Sequence, residues 1–176
     1  MIKIFMNKSS NQLITDAISE QYGASIQMLE NIVKNCGEEL WSDSNREIII
    51  SQVVYHVLFY IDFYLSKNKK ERENFTPKLG PDQMGERTDG LKWDKIFTKE
   101  ELLDYITDLK RKAKKRFTDL KLEELTIDSV FEWHGSSVLS SFMYNLRHIM
   151  LHVGALHVRL NVTGIEPQKW VSKAPF

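Results

Sequence analysis

Residues 137–159 read SVLSSFMYNLRHIMLHVGALHVR and decide the fold. The stretch is long, mostly apolar and free of Pro, which predicts a buried helix. Steps of three and four trace one polar or small stripe through Ser141, Asn145, His148, His152, Ala155 and Arg159. The neighbouring stripe, Phe142, Leu146, Ile149, Val153, Leu156 and Leu160, is wholly apolar. One face of this helix therefore packs a core, and the face beside it lines something polar. His148 and His152 are four residues apart, so both imidazoles leave the same side of the helix.

Upstream, three more helices are expected. The first covers Ser10 to Asn35, where Leu13, Ile14, Ala17, Ile18, Ile26, Leu29, Ile32 and Val33 recur at helical steps. Gly23 interrupts that pattern with a residue that weakens or kinks helices. The second is expected to start at Ser44, because Ser44 and Glu47 have capping-box spacing, and to run to about Ser66. Ile49, Val53, His56, Tyr60 and Phe63 share one of its stripes, which turns His56 inward among aromatic residues. The third begins at a second capping box, Thr98 to Glu101, with a core stripe through Leu102, Leu103, Tyr105, Ile106, Leu109, Ala113 and Phe117.

Between the second and third helices, Lys67 to Phe97 is charged at first and then broken by Pro77, Gly80, Pro81, Gly85 and Gly90. Phe75, Leu79, Met84, Leu91 and Trp93 are too apolar for a free linker. The segment is expected to cover part of the helices, either at the mouth of a pocket or on a distant apolar flank. The tail after Gly164 is expected to pack through Trp170.

These elements predict an all-α chain: one domain over residues 1–176, an up-down four-helix bundle with a long loop insertion between helices 2 and 3. Composition agrees, with 42% apolar and 27% charged residues. Lys+Arg and Asp+Glu both number 24, so no global field steers the chain to nucleic acid or a membrane. The run Lys110 to Arg116, KRKAKKR, follows Glu100, Glu101, Asp104 and Asp108 on the same helix. That order complements the helix dipole and favours a solvated face over a polyanion patch. Cys36 is the only cysteine, so no internal disulfide forms, as expected in the cytoplasm. The N-terminus lacks an apolar run of signal-peptide length, and Gln52, His56 and Asp62 make Ile48 to Leu65 too polar for an ordinary membrane span.

The chemistry rests on His56, His148 and His152. Zinc, nickel and ferrous iron accept neutral imidazole nitrogen, and three His leave coordination positions open. The residues alone allow two readings: a divalent metal site, or three buried histidines satisfied by hydrogen bonds. Ile149 stands where a zinc-protease helix needs Glu, which excludes that motif. Glu132-Trp133-His134 precedes the last helix and is read as packing rather than pocket lining.

Four helices, the mid-helix Tyr55-His56 and the last-helix RHIMLHVGAL together resemble the DinB-like (YfiT-like) superfamily, over nearly the whole chain. The resemblance implies a divalent metal held by His56, His148 and His152 in an open site at one end of a four-helix bundle. It implies metal-dependent transfer or isomerisation chemistry with a low-molecular-weight thiol and a small-molecule substrate. Tyr60, Asn145 and Arg159 are the residues expected beside the ligands or the substrate. Family members often continue the last motif as His-x-Gly-Gln; here Gly154 fits and Ala155 occupies the place of Gln. A non-catalytic metal-binding or interaction protein is the alternative, and pairing into a homodimer is left open.

Overall fold

All regular structure among the described residues is helical. The structure is a computed structural model and describes residues 10–44, 48–84, 95–165 and 169–176. Among these residues seven α-helices follow in order: α1 Ser10–Asn35, α2 Glu38–Trp41, α3 Ile50–Tyr64, α4 Lys69–Glu73, α5 Lys99–Thr118, α6 Leu122–Leu125 and α7 Val138–Asn161. A single 3-10 turn, Glu132–His134, precedes α7. The four long helices pack in pairs: α1 on α5 and α7, and α3 on α5 and α7.

Local signals explain most boundaries. Thr98 and Glu101 form a reciprocal capping box: the Glu101 N–H donates to Thr98 Oγ1 at 3.2 Å, and the Thr98 N–H donates to Glu101 Oε2 at 2.8 Å. Ser137 caps α7 by accepting from the Ser140 N–H. At the far end Gly164 adopts φ 81°, and the Ile165 N–H returns to the Leu160 carbonyl at 3.2 Å.

Helix α3 begins six residues later than its sequence suggests. Ser44 lies in a turn, residues 45–47 of the expected capping box lie outside the described residues, and Ile49 caps the helix without a side-chain hydrogen bond. Tertiary packing sets this start. Trp41 is buried and donates its indole N–H to the Phe97 carbonyl at 2.8 Å, which gives residues 38–41 a short helix of their own. Ile49 and Ile50 are then drawn into the core.

The core joins all four long helices. Tyr22 of α1, Phe117 of α5 and Phe142 of α7 form an aromatic triangle with ring centroids 4.9, 5.4 and 6.0 Å apart. Tyr55 of α3 stacks on Phe97 at 4.2 Å. Each fully buried Leu, Ile or Phe contributes about 1.5–3 kcal/mol of transfer free energy, so a core of this extent stands on apolar burial.

The tail packs differently from expectation. Trp170 is 69% exposed, whereas Phe176 stacks on Phe117 at 6.0 Å and the Ala174 N–H donates to the Glu20 carbonyl at 3.3 Å. Gly23 makes this possible without kinking α1: a Cβ there would sit 1.8 Å from the Ala174 carbonyl oxygen.

Four of the six bases in the run on α5 form ion pairs within the chain. Lys110 meets Glu30, Arg111 meets Asp108, Lys112 meets Asp62, and the buried Arg116 meets Glu124. Among the described residues, no helix is long and apolar enough to cross a membrane.

Candidate metal centre

His56 sits near the middle of α3, and His148 and His152 lie one turn apart on α7. Because α3 packs on α7, the three imidazoles converge. The His56 Nε2 lies 3.1 Å from His148 Nε2, and His152 Nε2 lies 3.1 Å from the same atom. One ligand atom from each of the three falls within 4.8 Å of the others. The rings are mutually steep, with interplanar angles of 67, 72 and 81°. Edges rather than faces therefore meet at the centre.

The two separations from His148 Nε2 fit a common ion. Two imidazole nitrogens about 2.0–2.1 Å from one zinc stand about 3.3–3.4 Å apart at a tetrahedral angle, and about 2.9 Å at a right angle. The observed 3.1 Å lies between those values.

The fourth member comes from the loop after α4. Asp82 is 8% exposed, and its Oδ2 lies 2.9 Å from His56 Nδ1. An ionised carboxylate only accepts, so Nδ1 carries the proton and the Nε2 lone pair points at the other two imidazoles. The Met84 N–H donates to Asp82 Oδ1 at 3.3 Å, and the Tyr55 hydroxyl donates to the Gly80 carbonyl, which anchors the loop beside α3. A proton on His148 Nε2 satisfies at most one neighbouring lone pair well, whereas one cation satisfies three.

Electrostatics prepare the donors. Burial, reinforced by the adjacent imidazoles of His152 and His56 and opposed by Asp82, pushes His148 down from 6.5 to about 3. Burial again leads at His152, with His56 adding to it, and brings that group to about 4. Both imidazoles are neutral at pH 7, the form that binds metal.

A cleft of about 540 Å³ opens against two of the three histidines. Its walls are His56, Phe59, Tyr60, Phe63, Tyr64, Trp133, Tyr144 and His148. Tyr60 touches two of the imidazoles, with centroids 4.8 Å from His56 and 5.3 Å from His148. Asn145 and Arg159 lie elsewhere. Asn145 is wholly buried and interacts with the Tyr22 hydroxyl, which faces the α1 side of the core. The Arg159 charge is felt at Cys36, whose thiol is buried and pushed up by that burial.

Three features escape the sequence reading. Asp82 lies in an aperiodic loop, so no spacing marks it. Trp133, read as packing, borders the cleft instead. Tyr144 stands four residues before His148 and was reachable by the same step that links the two histidines. His134 stacks on it at 3.8 Å, 22° from parallel.

No family model, curated protein or solved structure matches the chain.

Proposed function

We propose that the chain is a divalent-metal protein of the DinB-like type, with His56, His148 and His152 as ligands for zinc, nickel or iron. In this reading the four long helices form one up-down four-helix bundle, with residues 67–97 as the insertion. The observation that carries it is the convergence of three Nε2 atoms with Asp82 holding the His56 proton on the opposite nitrogen. When bound, such an ion lowers the pKa of a thiol or water that reaches it and supplies a nucleophile at neutral pH. Asp82 keeps His56 in the ligating tautomer and supports the charge of the centre. The cleft against His56 and His148 receives the small-molecule substrate between its aromatic walls. The preferred activity is transfer of a low-molecular-weight thiol, in a reducing compartment such as the cytoplasm, where the single buried Cys36 stays a thiol.

A non-catalytic metal-binding protein is the second reading. It is favoured by one observation: Asp82 is engaged by His56, so it does not stand free as a general base. Elemental analysis of tag-free protein against a His148→Ala/His152→Ala variant tests the metal. About one divalent ion per chain in the wild type and none in the variant is expected; equal content sinks the assignment. Turnover of an electrophile with a low-molecular-weight thiol then separates enzyme from binder.

A further inference from the structure

The cleft beside the histidines has an unusual lining. Apart from the two imidazoles, its walls are Phe59, Tyr60, Phe63, Tyr64, Trp133 and Tyr144, and no Asp, Glu, Lys or Arg lines it among the described residues. The rings stand at varied angles to one another. Tyr60 meets Phe59 at 73° and Tyr64 at 30°, while Phe63 meets Tyr60 at 82°. Trp133 is 61% exposed, so it forms an open rim rather than a sealed wall. At about 540 Å³ the space matches that of small-molecule sites, about 300–1,000 Å³.

We infer that this cleft selects a flat aromatic group that carries one metal-binding donor atom, so that the ring lies among the six aromatic side chains while the donor reaches the histidine centre. The inference deepens, and rests on, the metal reading of His56, His148 and His152. Aromatic pairs gain from offset or edge-to-face contact beyond the area they bury, which a puckered aliphatic ring forgoes. Aromatic cages also take quaternary ammonium ions. Here one observation disfavours a cation: no carboxylate lines the described walls. A divalent ion bound by His56 and His148 would add repulsion to that. A peptide-like thiol substrate finds no charged side chain on these walls to hold its termini.

The test uses full-length protein loaded with cobalt(II), whose visible absorption reports both metal binding and donor exchange. The probes are benzohydroxamate and cyclohexanecarbohydroxamate, which share the donor and differ in the ring. Bulk hydrophobicity favours cyclohexyl, so a phenyl preference reports the aromatic walls. Benzohydroxamate is expected to bind at least about fivefold tighter, the size of one or two aromatic contacts. Trp133→Leu and Tyr144→Leu are each expected to shrink that ratio with the probe-free cobalt spectrum unchanged. Equal affinities, tighter cyclohexyl binding, or a ratio untouched by both variants would overturn the inference. Absence of a cobalt spectrum would instead strike the metal reading itself. Saturation-transfer NMR on metal-free protein then reads the cleft alone: benzyl alcohol is expected to give signal above cyclohexylmethanol and tetramethylammonium, and the reverse order overturns the aromatic assignment.

Discussion

The Asp82 carboxylate lies 2.9 Å from His56 Nδ1, joining an aperiodic loop to the middle of α3 across 26 residues of sequence. The contact does two things. It fixes which imidazole nitrogen faces His148 and His152, and it ties the segment after α4 to the candidate centre.

Asp82→Asn is therefore expected to weaken metal binding by about 10- to 100-fold, the usual cost of losing a carboxylate behind a metal-ligating His. The amide keeps the shape but not the charge. Competition against a chromogenic chelator measures the affinity, and far-ultraviolet circular dichroism checks that the helices persist. Affinity within twofold of wild type would assign Asp82 to loop anchoring alone.

How much of this was legible in the sequence depends on periodicity. Helix α1 has the limits its apolar steps predict, and the Thr98–Glu101 box starts α5 as written. The same spacing at Ser44 and Glu47 does not start α3, because a local cap signal competes with the burial of Trp41 and Ile49. The histidine pair was legible because both residues sit on one helix at a fixed step. Extending that stripe was ambiguous: a helix period of 3.6 allows three or four. Four leads from His148 to Tyr144, in the cleft; three leads to Asn145, in the core beside Tyr22. Only the positions of α1 and α3 around α7 separate the two. Asp82 has no period at all, and its role depends on where Gly80 and Pro81 turn the chain.

Removing metal is expected to leave the helices intact. The apolar core spans α1, α3, α5 and α7 and does not pass through the imidazoles. Chelation should lower the melting temperature only through linkage, RT ln(1 + [L]/Kd). Loss of helical circular dichroism on adding chelator at room temperature would show that the ion is structural.

Acid should destabilise the metal-free protein. His148 and His152 have folded values near 3 and 4, below the ordinary 6.5. Between those limits the unfolded chain binds protons that the folded chain refuses, so stability falls as pH drops from about 6.5 toward 4. Above 6.5 both states are neutral at these groups and their contribution is flat. Melting temperatures of metal-free wild type and a His148→Gln/His152→Gln variant at pH 7.5, 5.5 and 4.5 measure this. The wild type should lose more than the variant over that range; parallel curves would remove the histidines from the acid response.

Gly23 offers a test in which the sign of a substitution reverses. In an isolated helix Gly→Ala stabilises by about 0.8–1.0 kcal/mol. Here the added Cβ meets the Ala174 carbonyl oxygen at 1.8 Å, and that atom belongs to backbone that cannot rotate away. Either the tail lifts, giving up the Phe176–Phe117 stack and the Ala174–Glu20 hydrogen bond, or α1 shifts against its neighbours. Overpacking of this kind costs about 1–3 kcal/mol, which exceeds the helix gain. Gly23→Ala should therefore destabilise the full chain by about 0.5–2 kcal/mol in urea titration. In a chain ending at Lys169 the clash is gone, and the same substitution should stabilise, because only the propensity term remains. The double-mutant cycle isolates the coupling between Gly23 and the tail. Equal effects in both backgrounds would mean that the tail does not press on α1 in solution.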